Sequence, residues 1–221
     1  MKDTRLKIDL HVHTCYSEDA ATTLKEVTEC AEKKSLNGLA ITDHNTLEGA
    51  RKLAKESQLI VIPGLEVETK QGHVLALNVT TPIQSRLNLA ETVQRIHENG
   101  GTAIIAHPYA AFKGRIRRKA ALNSKLDAVE VVNAAAFPFF TATSLGRRLA
   151  EQLSLPQTGG SDAHHGYEIG RAYALVEADP NVDDVIEAIR KGNVTPQGKP
   201  LSWSERMERL AFSLVRLKRR L

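Results

Sequence analysis

Residues 7–14, KIDLHVHT, decide the fold and raise the first question about function. Apolar and polar residues alternate here, which is typical of a strand, and residues two apart in a strand share a face. His11 and His13 therefore project together, whereas Leu10 and Val12 are expected on the opposite face. Such a pair is either two half-buried strand histidines or the first half of a metal site, and the spacing alone does not decide between them.

The composition is that of one globular domain with a full core. The chain has 221 residues, of which 42% are apolar and 25% charged, and these fractions are ordinary for a soluble protein. No apolar run approaches the roughly 20 residues that span a bilayer. The charged N-terminus predicts no signal peptide, so we expect a cytoplasmic protein. Cys15 and Cys30 fit no metal spacing and predict no disulfide.

Strand-like and helix-like segments alternate along the chain. Apolar runs bounded by turn residues predict strands, and apolar residues three and four apart predict helices. The predicted strands are 7–13, 36–44, 59–69, 72–79, 102–108, 126–134 and 156–165, followed by a short apolar run at 172–178. The predicted helices are 21–35, 46–57, 89–101, 141–154 and 181–192. This alternation predicts right-handed β-α-β units and a parallel sheet.

An open sheet and a closed barrel both fit this number of units. The chain lacks G-x-G-x-x-G after its first strand and lacks a Walker-type phosphate loop. Nucleotide-binding open sheets are therefore disfavoured, and the position of the polar residues favours a barrel.

Six of the eight histidines stand at strand ends. They are His11, His13, His44, His73, His107 and His164, and carboxylates accompany them, among them Glu66 and Asp162. His73 opens its strand, so that strand is expected to run antiparallel or to follow a tight turn. In a β/α barrel these ends meet at one rim, where so many imidazoles and carboxylates require cations. Two or three metals such as zinc, iron or manganese fit this set.

Other polar residues near these strands receive supporting or structural roles. We expect Asp43 to orient an imidazole, and Asp9 and Glu68 to support the site in a similar way. His97 lies near a helix C-terminus, where the helix dipole favours it. His165 receives no role.

Six motifs follow one another along the chain: DLHVHTCYSED, GLAITDHNTLEG, IPGLEVET, GHVLAL, AIIAHPY and GGSDAHH. In this order they resemble the motifs of the PHP (polymerase and histidinol phosphatase) family, and the match extends from about residue 7 to 180. The resemblance implies a distorted (β/α)7 barrel with a trinuclear metal site. It also implies a hydrolase, since most members are phosphoesterases.

Carried over position by position, the resemblance implies three ligand sets. The first set is His11, His13, Glu66 and Asp162; the second shares Glu66 and adds His73 and His107; the third is Asp19, His44 and His164. The first loop reads Ser17-Glu18-Asp19, where many members read S-D-G. Glu18 therefore competes with Asp19, and we favour Asp19.

The expected reaction is phosphoester hydrolysis by a metal-activated hydroxide. Glu66, Asp162 and His164 are the predicted catalytic residues, and His164 is a candidate proton donor for the leaving group. A nucleotide or a short oligonucleotide is the expected substrate. The alternatives are a histidinol-phosphate-type phosphatase, an amidohydrolase, and a non-catalytic barrel scaffold like the protein subunit of archaeal ribonuclease P. No stable protein partner is expected.

Two basic segments lie outside these motifs. KGRIRRK, residues 113–119, follows the fifth strand, so Arg115, Arg117 and Arg118 are predicted to bind substrate phosphates at the rim. Residues 1–200 are predicted to form the PHP domain, including a PHP-associated segment at 156–195. Residues 201–221 predict a basic amphipathic helix whose apolar stripe is Trp203, Met207, Leu210, Leu214, Leu217 and Leu221. We expect the stripe to pack against the barrel, with a dimer contact or a membrane surface as alternatives.

Overall fold

The computed structural model describes residues 5–111, 116 and 118–219, with the side chains of the last helix described to residue 212. The strands are β1 (Arg5–Val12), β2 (Gly38–Ile41), β3 (Ile60–Thr69), β4 (Gly72–Leu77), β5 (Thr102–Ile105), β6 (Ala128–Asn133), β7 (Gln157–Gly160), β8 (Ala172–Glu177) and β9 (Val194–Gly198). The helices are α1 (Leu24–Lys33), α2 (Glu48–Glu56), α3 (Leu89–Glu98), α4 (Arg118–Leu122), α5 (Phe139–Leu153), α6 (Val182–Lys191) and α7 (Trp203–Arg219). None of the described helices is long and apolar enough to cross a membrane.

These strands form one sheet in the order β7-β6-β5-β4-β3-β2-β1-β8-β9. β1 to β3 are parallel, β5 to β7 are parallel, and β4 is antiparallel to both β3 and β5. The ends of six strands and the start of β4 therefore meet at one rim. Val12 bridges to Ala163, just after β7, and nearly closes the barrel. The expected distorted barrel and the antiparallel fourth strand are confirmed.

A β-bulge in β1 changes the predicted arrangement of its apolar residues. The register against β2 shifts between Asp9 and Val12. Leu10 packs inside the barrel in one cluster with Ile62 and Ile104, whereas Val12 packs against the helices of the outer layer. The expectation that Leu10 and Val12 share a face was therefore wrong, because a bulge re-aims the side chains that follow it.

The chain after β7 departs most from the sequence expectation. β8 is antiparallel to β1, and β9 pairs with β8 as an edge strand. β9 was not predicted, because VTPQG is short and carries a proline and a glycine. The stripe of α7 was expected to face the barrel, yet Trp203 is 73%, Met207 61% and Leu210 52% exposed. That expectation is wrong for these three residues, and the side chains of the other three lie outside the described part of the chain.

Candidate metal centre

Glu66 is the centre of a buried cluster of imidazoles and carboxylates at the rim. Its Oε2 atom lies 3.3 Å from Nε2 of His11 and 3.1 Å from Nε2 of His13. Its Oε1 atom lies 2.7 Å from Nδ1 of His73 and 2.7 Å from Nε2 of His107. One carboxylate thus presents an oxygen to each of two histidine pairs, which is the arrangement of a bridging ligand.

The donor atoms fall into three groups that could each hold a cation. Within each group the donors lie within 4.8 Å of one another, and the groups are His11-His13-Glu66-Asp162, Glu66-His73-His107 and His13-Asp19-His164. The first two match the ligand sets implied by the family resemblance. In the third, His13 takes the place expected for His44. Nε2 of His44 still lies 3.5 Å from both Asp19 Oδ2 and Glu66 Oε2.

The structure therefore brings all nine candidate ligands together at one rim. Imidazole nitrogens and carboxylate oxygens are the donors that zinc, iron and manganese take in proteins, and they converge here without a thiolate. The donor set fits divalent cations, and the assignment of individual ligands stays a prediction.

Hydrogen bonds away from the cluster aim the imidazoles into it. His11 Nδ1 lies 3.0 Å from Oε1 of Glu130. Nδ1 of His44 donates to the carbonyl of Glu66 at 3.1 Å. A proton fixed on Nδ1 leaves the lone pair of Nε2 facing the carboxylates, which is the usual arrangement in metal-binding histidines. The first loop takes part as well, since the Ser17 hydroxyl accepts from the His44 amide at 2.8 Å.

Two candidate ligands occupy an unusual backbone conformation. His107 has φ 28° and Asp162 has φ 55°, although neither is a glycine. Such strained residues persist only where the surrounding structure fixes them, and they concentrate at functional sites. Gly160 allows the second of them to approach β1, because a Cβ there would lie 2.4 Å from the Cβ of His11.

The charges of the cluster are strongly coupled. Burial raises the pKa of Glu66, but the charge of His11 and hydrogen bonds from the histidines outweigh burial and hold this pKa well below its ordinary value. Burial lowers the pKa of His44, but Asp19 and Glu66 raise it overall to about 9. Burial lowers the pKa of His164 to about 3, and the charge of Arg209 adds to that effect. These pKa shifts favour the charged forms of Glu66 and His44 and the neutral form of His164.

Two charged residues of the site were not predicted from the sequence. Glu130, in β6, is buried and accepts hydrogen bonds from the His107 amide at 2.8 Å and from Asn133 at 2.9 Å. Its signal was present, since it is the one charged residue in the apolar strand AVEVVN. Arg209, in α7, donates from Nη1 to the Asp162 carbonyl at 3.1 Å, and its Nη2 lies 2.8 Å from Nδ1 of His164. No sequence pattern placed that face of α7 against the rim.

Three supporting residues have different roles. Asp43 accepts from the amide and the hydroxyl of Thr14, both at 2.7 Å, and so fixes the loop after β1 rather than an imidazole. Asp9 accepts from the amides of Ser161 at 2.8 Å and Gly170 at 2.7 Å, and so supports the site as expected. Glu68 is exposed and pairs with Arg86, which corrects its expected support of the site.

The remaining two histidines belong to none of the three donor groups. His97 pairs with Asp127 at the surface at 2.8 Å. His165 stacks on Tyr167 with 5.3 Å between ring centroids. Arg118 opens α4 and is exposed. Arg115 and Arg117 lie outside the described residues.

Comparison with other proteins identifies the family. The family model described as PHP-associated matches residues 141–194. A Methanocaldococcus jannaschii protein of uncharacterised function, MJ1587, is 35% identical over 142 residues, which cover 58% of this chain and 82% of the relative. A two-domain Bacteroides vulgatus protein containing a predicted PHP-like metal-dependent phosphoesterase superposes with a TM-score of 0.74 at 17% identity, covering 88% of this chain and 65% of the other. The chain belongs to the PHP family.

This PHP chain is also similar to two proteins whose names state an enzymatic activity. Phosphoribosyl 1,2-cyclic phosphate 1,2-diphosphodiesterase from Eggerthella lenta is 33% identical over 101 residues, or 41% of this chain and 38% of that enzyme. The lesion-specific endonuclease Q of Pyrococcus furiosus superposes with a TM-score of 0.71 at 20% identity, covering 87% of this chain and 57% of the other. The chain thus spans about two fifths and three fifths of these two enzymes. Hydrolysis of phosphoester bonds is the activity their names share.

Proposed function

We propose that the protein is a metal-dependent hydrolase of phosphoester bonds that acts on a nucleotide or a short oligonucleotide. The observation that carries the proposal is Glu66, whose two carboxylate oxygens face separate pairs of histidines. A carboxylate that bridges two cations is a recurring feature of metal centres that hydrolyse phosphoesters. The named activities of the diphosphodiesterase and of endonuclease Q support the same reaction class.

The nine candidate ligands would hold two or three divalent ions. Manganese, iron and zinc are the metals that fit these ligands. When bound, such ions make a coordinated water more acidic and stabilise negative charge on a phosphoryl group. The donor geometry supports occupancy of the first two groups most directly, since Glu66 belongs to both.

The residues of the chain position this chemistry and add charge to it. Glu130 links the His11 ring to the backbone of His107, so two candidate ligands from different strands share one anchor. Arg209 brings a positive charge to the same rim, where it can attract an anionic ester. The lowered pKa of His164 suits a metal ligand, which needs a free lone pair, better than it suits the proton donor predicted from the sequence.

The basic segment after β5 supports a substrate with several phosphates. Ile116 is buried, and the nearest atom to a Cβ built on Gly72 is its Cγ1, at 2.8 Å. Gly72 precedes His73, so residue 116 lies close to the metal-centre rim. We therefore keep Arg115, Arg117 and Arg118 as proposed phosphate contacts. A nucleic-acid substrate is also consistent with the structure of endonuclease Q in complex with a 27-mer duplex substrate, which superposes with a TM-score of 0.67.

A metal and substrate screen tests the proposal. The protein is supplied in turn with manganese, iron and zinc, and elemental analysis is combined with hydrolysis assays on trithymidylate, a nucleoside bisphosphate and histidinol phosphate. We expect two or three ions per chain and faster turnover of the two nucleotide substrates. Preference for histidinol phosphate would favour the phosphatase alternative. Less than one ion per chain would favour a non-catalytic scaffold.

A further inference from the structure

Two aromatic side chains lie side by side at the surface, next to the loops that carry the metal centre. Phe137, in the loop after β6, is 45% exposed, and Trp203, at the start of α7, is 73% exposed. Their ring centroids are 5.9 Å apart, and their planes cross at 66°. Because the rings are not stacked face to face and Trp203 is the more exposed of the two, the Trp203 ring can offer a face to a planar ligand.

Arg206 holds this pair in place and adds a charge to it. Its guanidinium carbon lies 5.4 Å from the centroid of the Phe137 ring. The same guanidinium donates to the carbonyls of Ala135 at 3.0 Å and Ala136 at 3.1 Å. These bonds tie the first turns of α7 to the loop that carries Phe137. We name Phe137, Trp203 and Arg206 the aromatic platform.

The platform is connected to the metal centre from two sides. Asn133, four residues before Phe137, donates to Oδ2 of Asp162 at 3.4 Å. Arg209 lies six residues after Trp203, about 9 Å along the helix axis, and its Nη2 is 2.8 Å from Nδ1 of His164. The platform and the metal centre therefore share the loop after β6 and the first turns of α7, which puts the platform beside the place where a phosphoester would bind.

We propose that the aromatic platform stacks a nucleobase of the substrate. This proposal rests on the proposed function and assigns the recognition of the base to residues outside the metal centre. Bases stack on aromatic rings and arginine planes whatever their sequence, because every base has a π-face. A cation over one ring suits an anionic nucleotide better than an apolar partner. A second copy of the chain, docked on Trp203, Met207 and Leu210, is the competing occupant.

The chain contains a single tryptophan, so its fluorescence reports on the platform alone. The full-length protein is titrated with a trithymidylate whose phosphorothioate linkages resist hydrolysis. The control ligand has the same backbone with tetrahydrofuran sugars in place of the three nucleosides. We expect trithymidylate to quench the fluorescence and to bind about tenfold more tightly than the baseless ligand, as one stacked base contributes. Equal affinities without quenching would overturn the proposal.

Variants separate base stacking from apolar docking. Affinity for fluorescently labelled trithymidylate is measured by anisotropy for Trp203→Phe, Trp203→Leu and Met207→Ala. Trp203→Phe keeps a ring and should bind within about threefold of the unmodified protein, whereas Trp203→Leu should lose about tenfold. Met207→Ala is the matched control, because it lies one turn along the same exposed stripe and has no ring. Unchanged binding in Trp203→Leu would contradict base stacking, and a sedimentation change in Met207→Ala would assign the face to a second copy.

Failure of this proposal is distinguishable from failure of the proposed function. Binding is measured with a ligand that is not hydrolysed, and hydrolysis is measured separately on ordinary trithymidylate. Hydrolysis without any base-dependent affinity would contradict base stacking on the platform and would support the proposed phosphoesterase function. Base-dependent affinity without hydrolysis of any phosphoester would support base stacking and contradict the phosphoesterase function.

Discussion

The metal centre and helix α7 meet at His164, and both turn charged side chains inward, but their apolar residues lie on opposite sides: buried in the strands and exposed on the helix. At the metal centre, charged side chains are buried at the ends of apolar strands. On α7, Arg206 and Arg209 face the protein, while Trp203, Met207 and Leu210 face solvent.

The comparison shows that partners, rather than polarity, decide which face turns inward. Each buried carboxylate of the cluster faces imidazoles, and each inward arginine of α7 finds backbone carbonyls or the cluster itself. A buried charge is tolerated when it is paired and hydrogen-bonded. An amphipathic pattern states which residues share a helix face, but not which face the protein covers.

The largest effect is expected where both histidine pairs depend on one residue. Glu66→Gln removes the charge that the two pairs share and should reduce the metal content to one ion per chain or fewer. Activity should fall by more than the 10–100-fold that the loss of a supporting hydrogen bond causes. Elemental analysis and a hydrolysis assay measure both. Glu68→Gln, two residues along β3 and exposed, is the control and should behave like the unmodified protein. Full metal content in Glu66→Gln would exclude a bridging role.

A smaller loss of metal affinity is expected for a residue that contacts the candidate ligands without being one of them. Glu130→Gln keeps the size of the side chain but weakens its bonds to the His11 ring and to the His107 amide. Metal affinity should fall about 10–100-fold, as measured by competition with a chelator. Asp127→Asn is the matched control, because Asp127 directly precedes the same strand and its carboxylate pairs with His97 at the surface, away from the candidate ligands. If the two variants bound metal equally well, Glu130 would be a structural residue only.

How far the sequence predicts this molecule depends on whether neighbours along the chain are also neighbours in space. H-x-H at the end of β1 and D-x-H after β7 fix the direction of their own side chains, so the rim was predictable from strand ends. Glu130 was predictable in principle, as a lone charge in an apolar strand. The bulge in β1 and the inward face of α7 were not, because both depend on contacts with distant segments.

The first loop offers a test with an intermediate effect. Oδ2 of Asp19 lies 3.0 Å from Nε2 of His164 and 3.5 Å from Nε2 of His44. Asp19→Ala should therefore lose one ion, and about tenfold in activity, while the ions around Glu66 stay bound. Glu18→Ala is the matched control, because both side chains are exposed in the same loop. Elemental analysis decides between them, and loss of an ion from Glu18→Ala alone would reverse the assignment.

The smallest effect is expected on the apolar face of α7. Met207→Ala and Leu210→Ala should each change the free energy of unfolding by less than about 0.5 kcal/mol, since truncating exposed side chains leaves no cavity. Leu149→Ala in α5, where the side chain is 1% exposed, should cost about 2–5 kcal/mol. Urea denaturation compares the three. A cost of several kcal/mol for Leu210→Ala at low protein concentration would mean that the stripe packs within the chain after all. The same cost only at high concentration would mean that a second copy covers it.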